Sequence, residues 1–547
     1  MCKLSLTKLM LFWLYVLTCP AVLMFTGCVH FNSNEKDYNI FDADAGSVRR
    51  IEPLVLEEAE EETTEYSPVE PELPEIEVSL EKCRAFTLEN NLDLTVQLIE
   101  PTIAAELVSQ EEARFEATFT GRVQYSMTNS PSVYSLDISG NKVDSIYTDL
   151  GVSFPLRTGG EIKVDLVDSK VKTNSFFPTF NPSYESDITA SISQPLLRDA
   201  GNRVNTYRIR AAEYNRQIVD TQTKLQVIRI IADVDIAYWR LYAARRLLDV
   251  RRQRYELAKA LFEQTERLME IGMKPKIELI RTKADMADQL QAIISIENEV
   301  RQRERELKRR LNKPGLGMET KTVLIPTTKP DPVRYALDRE RMVANALENR
   351  MEMLELEIRL AQDSDNIEYQ KNQVLPDLRI QYNYNINGLG PERGDSYDLL
   401  FDHDFNDHRL GLQLSIPFGN GAAKSRLRQA MYEKTKRLAT RDSKKAQIKY
   451  EVLNQIDTLE ANWQRILASR QTTILRDEQY KAEKRQYELG LATSTDVLEA
   501  QTNLAGAQTE EIRALTEYQI ALVDLAYATG TLLGAAKVEL EPIVPQK

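Results

Sequence analysis

The body of this chain is written twice, and a duplication of that length constrains it to fold as two like halves. One copy runs through Ser193, Gln194, Pro195 and Leu196 to Met269, Glu270, Ile271 and Gly272; the other runs through Ser415, Ile416, Pro417 and Phe418 to Tyr487, Glu488, Leu489 and Gly490. The prolines and the glycines are each about 220 residues apart, an offset that chance similarity does not hold across long, punctuated segments. Each copy reads as an opening helix, a pair of strands and a long helical hairpin.

The opening helices are signalled by Ser79 capping a helical stripe that ends at Leu88, Glu89, Asn90 and Asn91, and by Met342, Val343, Ala346 and Leu347 in the second copy. The period then changes to two. Phe115, Ala117, Phe119, Val123 and Tyr125 alternate with polar residues, as do Leu378, Ile380, Tyr382 and Tyr384. Their partners are Ile188, Ala190 and Ile192 before Pro195, and Leu410, Leu412, Leu414 and Ile416 before Pro417. One apolar and one polar face per strand suits either a soluble sandwich or a membrane barrel; the tyrosines and the Asn, Ser, Asp and Gly-rich loops favour the barrel. The first copy carries an extra strand, turn and strand at Leu150 to Phe154, Thr158 to Gly160 and Ile162 to Leu166. That pair either enlarges the barrel or projects as an extracellular hairpin.

The helical arms repeat every seven residues. Val227, Val234, Leu241, Leu248, Tyr255, Phe262 and Met269, with Ile231 and Tyr238 between, form a coiled-coil seam from about Asn202 to Ile271. A helix of ~70 residues is ~105 Å long, more than a globular core needs. Gly272 and Pro275 break it before a shorter arm from about Ile277 to Leu311. Leu453, Ile456, Leu459, Trp463 and Ile466 lead out in the second copy, Gly490 turns the chain, and Leu515, Tyr518, Leu522 and Leu525 lead back.

The amino terminus carries Lys3 and Lys8 ahead of an apolar stretch from Leu9 to Met24, the layout of a secretory signal. Phe25, Thr26, Gly27 and Cys28 resemble a bacterial lipoprotein cleavage box with Cys28 as the acylated residue, although Phe25 stands where Leu is usual. Ordinary cleavage nearby would instead leave Cys28 free. The net charge of −13 is local: ten glutamates between Glu57 and Glu77, without Lys or Arg, are interrupted by Pro68, Pro71 and Pro74. Such a stretch reads as an extended tether, and the rest offers no basic nucleic-acid surface. The expected organisation is a signal peptide at 1–27, a lipid-anchored acidic tether at 28–77, a first repeat at 78–312, a connection at 313–338, a second repeat at 339–534 and a tail at 535–547.

With these residues in view, the chain from about 78 to 534 resembles the TolC-family outer-membrane efflux proteins. The resemblance rests on Leu88 to Asn91, on Gln194, Pro195 and Leu196, on Ile416, Pro417 and Phe418, and above all on Tyr487, Glu488, Leu489 and Gly490 followed by Ser494 to Gln501. It implies an α+β membrane protein: a homotrimer with one shared transmembrane β-barrel continued by a long periplasmic α-helical barrel, anchored in the outer membrane. It also implies a periplasmic adaptor and an inner-membrane pump as partners, with the adaptor docking at the helical tips around Gly272 and Gly490. By the same resemblance Asp496, Glu499 and Tyr487 line the closed periplasmic mouth; Asp496 as a helix cap and Glu499 as a surface charge is the plainer reading. Glu278 stands where an Asp is typical and Ala492 where some members place a basic residue, so a charge lock at the tip is weaker here.

No nucleophile and base fall into an enzymatic arrangement, and no cofactor is implied. His403 and His408 lie among Asp402, Asp404 and Asp407, a cluster that reads as a solvated loop ahead of a cation site. The expected function is a passive exit duct of a tripartite efflux or type I secretion system. The alternative, a coiled-coil lipoprotein tethering the outer membrane without transport, has no use for alternating strands repeated at the same place in both copies.

Overall fold

A computed structural model describes residues 74–131 and 140–536. The expected signal peptide, Cys28, nearly all of the acidic tether and the tail beyond residue 536 lie outside the described residues. In chain order the elements are β1 (Glu75–Val78), α1 (Leu80–Asn90), α2 (Leu92–Glu112), β2 (Thr118–Asn129), β3 (Lys142–Pro155), β4 (Glu161–Thr173), β5 (Ser183–Pro195), the single turn α3 (Asn202–Asn205), α4 (Tyr207–Glu270) and α5 (Lys276–Leu311). They continue with β6 (Val323–Pro326), α6 (Arg339–Asn349), α7 (Met351–Gln373), β7 (Asp377–Gly390), α8 (Arg393–Asp402), β8 (Asn406–Ser415), α9 (Gly421–Glu488), α10 (Ser494–Ala528) and the short α11 (Leu532–Ala535).

Local chemistry sets these boundaries. Ser79 Oγ accepts from Lys82 N to start α1, and Asn91 both ends α1 and caps α2, its Oδ1 accepting from Leu94 N at 2.9 Å. The opening helix of each half is therefore followed by a second helix, α2 or α7, in addition to the one its capping and periodicity predict. Phe115 sits in a single 3-10 turn, so the first strand of the sheet starts at Thr118, later than the alternation suggested. Folded structure also begins earlier than Val78. Glu75–Val78 pairs in parallel with Val323–Pro326, which puts a strand at the end of the expected tether and another inside the expected irregular connection. Ile76 and Val78 alternate with glutamates, and Val78 and Leu324 are fully buried at the waist, which rewards pairing of two very short strands.

The six strands from β2 to β5, then β7 and β8, form one antiparallel sheet in the order β2-β3-β4-β5-β7-β8. The register runs unbroken across it: Phe119 faces Val152, Val152 faces Val164, Val164 faces Ala190, Ala190 faces Tyr384 and Tyr384 faces His408. Those residues share one face with Leu150, Leu166, Ile188, Ile192, Tyr382, Leu410 and Leu412. The opposite face carries Thr120, Arg122, Asp149, Lys163, Asp165, Asp187, Thr189, Asn383, Asn385 and Arg409. An apolar face and a polar face thus cross all six strands in the half of the sheet nearer the helices, while toward the other end Asp144, Asp168, Lys170 and Lys172 of β3 and β4 stand on the apolar side. The edges, β2 and β8, have no partner strand within the described residues.

The helices form a layer of four columns. α4, of 64 residues, is flanked on one side by α2 and α5 stacked end to end, and on the other by α7 and α10; α9, of 68 residues, packs beyond α7 and α10. At 1.5 Å per residue α4 and α9 are each roughly 100 Å long. A short break at Thr206 separates α3 from α4, trimming the expected rod by a turn. Val227, Ile231, Val234, Tyr238, Leu241 and Leu248 of the seam are buried as expected. Beyond Leu248 the fully buried line passes instead to Arg254, Ala258, Leu261 and Thr265, leaving Tyr255, Phe262 and Met269 half-buried. Near the tip α4 is closed over by the second hairpin, whose Tyr480, Tyr487, Val497, Ala500 and Leu504 cluster with Leu261. At the waist Arg84 donates to both oxygens of the fully buried Asp235 at 2.8 and 2.7 Å, tying α1 to α4. None of the described helices is long and apolar enough to cross a membrane.

Candidate functional site

Two places in this fold bear on function: the unpaired flanks and the helical tips. At the flanks, α2 leads into edge strand β2, and edge strand β8 leads into α9, so each open sheet edge continues into an outermost helix column. α2 exposes Leu92, Val96, Ile99, Ile103 and Leu107, a stripe at helical spacing, and α9 exposes Tyr432, Tyr450, Leu467 and Leu475. Phe119, Val123 and Tyr125 of β2 and Leu410, Leu412 and Leu414 of β8 are exposed likewise. Exposed apolar surface on both flanks thus lies in line with the unpaired backbone edges.

Both tips turn the same way. Gly272 and Gly490 each adopt φ +77°, and each makes the paired bonds of a Schellman turn: Gly272 N to Met269 O and Met273 N to Leu268 O, Gly490 N to Tyr487 O and Leu491 N to Gln486 O. Pro275 then precedes α5, while Thr493 caps α10. Asp496 completes a capping box there, Oδ2 accepting from Thr493 N and Thr493 Oγ1, both at 2.8 Å. These two bonds hold the Asp496 carboxyl below the usual aspartate range. Asp496 and Glu499 are both exposed and three residues apart on α10, hence on one helix face.

The two hairpins are joined toward the tips by polar links, among them a hydrogen bond from Arg281 to Thr495 Oγ1 at 3.5 Å. Tyr487, 2 % exposed, shares a hydrogen bond with Thr265 at 3.0 Å, and Lys274 lies over its ring at 4.6 Å. Ser494 donates through its hydroxyl and its N–H to Glu278. Higher up, Arg254 donates to Gln501 Oε1 at 2.7 Å, to Asp285 Oδ1 at 3.0 Å and to Thr502 Oγ1 at 3.4 Å. Burial draws the guanidinium pKa of Arg254 down while Asp285 opposes that shift. Arg254 and Thr265 were not singled out in the sequence, and Ser494 and Gln501 entered there only as the ends of the run that carries the resemblance. Their signal is visible in retrospect as polar residues on the buried line of long helices.

Pro195 ends β5 and Pro417 follows β8 by two residues, so both stand where strand gives way to helix. His408 is a strand residue, bonded through Nδ1 to Tyr382 Oη at 2.8 Å, and His403 ends α8 in the left-handed region. Among the described residues no three His, Cys, Asp or Glu side chains gather as a metal site.

The model of the outer membrane efflux protein family matches residues 86–313 and again 342–531. The chain belongs to that family. Among curated relatives it is 24% identical over 363 residues to the outer membrane protein TolC of Vibrio cholerae, covering 64% of this chain and 78% of that protein. TolC of Escherichia coli is 26% identical over 214 residues, covering 38% of this chain and 42% of that protein. Among solved structures, CusC superposes with a TM-score of 0.62 at 14% identity over 82% of this chain and 92% of that one. The Campylobacter jejuni CmeC outer membrane channel gives 0.61 at 14% identity, over 83% and 86%. The shared α+β fold is that of outer-membrane channels of this family.

Proposed function

We propose that this outer-membrane efflux protein is a passive trimeric exit duct, whose six-stranded sheets close into one lipid-crossing barrel and whose helices continue it through the periplasm. The observation that carries the reading is the sheet: one apolar face, one polar face, and two unpaired edges that run directly into helix columns with exposed apolar stripes. In lipid an unpaired strand edge is untenable, so the edges must meet those of neighbours. A head-to-tail contact of β2 and α2 on one subunit with β8 and α9 on the next closes sheet and helices by the same rotation. The recurring order of helix, helix, strands, long helix and shorter helix, together with the double family match, supports an internal duplication.

The tips form the periplasmic gate in this reading. Tyr487 with Thr265, Ser494 with Glu278, and Arg254 with Gln501 hold the two hairpins of one subunit together, and Asp496 with Glu499 gives the mouth rings of carboxylates when repeated by symmetry. The cap keeps Asp496 ionised, so such a ring attracts cations and repels itself. The turns at Gly272 and Gly490 serve as docking points for a periplasmic adaptor, and an inner-membrane pump supplies the energy. Cys28 carries the lipid anchor.

Conductance in planar bilayers tests this. Purified trimers are expected to conduct, to be blocked by added divalent cations, and to lose the block in Asp496→Ala, Glu499→Ala. Conduction with unchanged block would remove the carboxylate rings from the mouth; folded trimers that never conduct would refute the duct.

A further inference from the structure

We infer that the barrel has eighteen strands, six from each subunit, and is as wide as the helical conduit below it. The inference rests on the trimeric duct proposed above. Its basis is the extra hairpin, β3 and β4, which is built into the sheet from end to end. β3 pairs with β2 over twelve positions and with β4 over thirteen, and the apolar and polar faces pass through the helix-proximal half of both strands, Ile146–Phe154 and Ile162–Leu166, beyond which Asp144, Asp168, Lys170 and Lys172 stand on the apolar side. The turn between them, Leu156–Gly160, lies at the helix end of the sheet. Gly201 N donates to Thr158 O at 3.0 Å, and Thr158 and Gln194 exchange two hydrogen bonds at 2.9 and 3.1 Å. A Cβ on Gly159 would strike Asp199 O at 2.3 Å. A hairpin anchored against the start of the long helices cannot be an extracellular projection; both of its strands traverse the full height of the wall.

Geometry favours the wider barrel independently. With strands ~4.8 Å apart and tilted ~40°, each occupies ~6 Å of circumference, so eighteen need about 113 Å and twelve about 75 Å. Four helix columns per subunit put twelve helices in the ring below, and at 8–10 Å between axes that ring measures roughly 96–120 Å. Eighteen strands match it, so the chain passes from helix to strand without the wall having to narrow. The backbone radius becomes about 18 Å instead of about 12 Å, leaving an opening on the order of 25 Å across once side chains are counted. The polar face that would line it mixes Arg122, Lys163 and Arg409 with Asp149, Asp165 and Asp187, offering no single sign of charge. The membrane section therefore admits bulky polar cargo of either charge, and exclusion by size falls to the periplasmic tips.

The test is the distance between threefold-related sites. Leu412, exposed on the apolar face of β8, is changed to Cys in a Cys2→Ser, Cys19→Ser, Cys28→Ser background, where the remaining Cys83 is fully buried, and spin-labelled in the full-length chain. Native mass spectrometry of the same sample counts subunits. A trimer with equivalent backbone positions about 30 Å apart, after allowance for the label, is the expected result; about 20 Å marks a twelve-stranded wall. A trimeric mass with the shorter distance overturns the wide barrel and leaves the duct intact. A mass other than a trimer overturns the duct assembly and this inference with it. Excision of residues 142–173 is expected to shorten the distance by about 10 Å. If the excised chain does not fold, the full-length distance alone decides.

Discussion

Replacing Arg254 with Met is expected to loosen the packing of α4 against α5 and α10 by about 3 kcal/mol in all. Arg254 is 3 % exposed on α4 and reaches Gln501 and Thr502 on α10 and Asp285 on α5. A buried ion pair broken from one side usually costs 3–5 kcal/mol because the surviving charge is stranded. Asp285 keeps a hydrogen bond from Gln289 at 3.1 Å and its side chain is 16% exposed, so its share is nearer 2 kcal/mol. The buried Gln501 loses its donor, about 1–2 kcal/mol more, and the apolar Met side chain returns up to about 1. About 3 kcal/mol is roughly a 150-fold rise in the local opening constant. Hydrogen exchange should report it as about two decades less protection for amides near 497–505 and 258–265, with the waist near Asp235 unchanged. Asp285→Asn on top of Arg254→Met should recover part of the loss, since no charge is then stranded. A loss of protection below about fivefold in the single variant, or one spread evenly over the chain, would refute the idea that Arg254 joins the hairpins.

Other outcomes follow from the same structure. Gly490→Ala and Gly272→Ala each place a Cβ at φ +77° with no heavy atom within 4 Å, so the cost is backbone strain alone, about 1–2 kcal/mol, and Asn should be better tolerated than Ala by hydrogen exchange at the tips. Thr493→Ala removes the α10 cap and is expected to cost about 1 kcal/mol of protection in the first turn. Because its hydrogen bonds depress the Asp496 pKa in the folded state, the contribution of that carboxylate is present at neutral pH and fades as pH falls through the depressed value; Asp496→Asn should abolish this acid sensitivity of the first turn. Metabolic labelling with a fatty acid should mark the mature protein and fail on Cys28→Ser; equal labelling of both would place any lipid elsewhere.

Much of the architecture is legible in the sequence because it is periodic. The seven-residue seam through Val227, Val234 and Leu241 located α4, and Gly272 and Gly490 located both tips, since only glycine sits easily at their positive φ. The alternation at Ile162, Val164 and Leu166 revealed the extra strands but not their destination, which depends on pairing across the sheet. Other features escaped for physical reasons. α2 carries a helical stripe at Leu92, Val96, Ile99 and Ile103, yet Pro101 interrupts it and the stripe is exposed in the single chain. The β1 and β6 strands are four residues each and meet from distant parts of the chain, so nothing local announces them. Of the tip residues, Tyr487 was recognisable by its place one turn before Gly490. Its partner Thr265 was not, because a threonine in a long helix is unremarkable until the facing helix is known.

The central claim is that the open flanks of one subunit are closed by those of the next in a ring of three. Cysteine pairs scanned along Thr118–Tyr125 of β2 and Leu410–Ser415 of β8, oxidised in outer membranes, measure this directly. Pairs in register are expected to yield covalent dimers and then trimers, with nothing larger, while either cysteine alone stays monomeric under denaturing conditions. No cross-link at any register in folded protein, or a ladder extending beyond three, would contradict it.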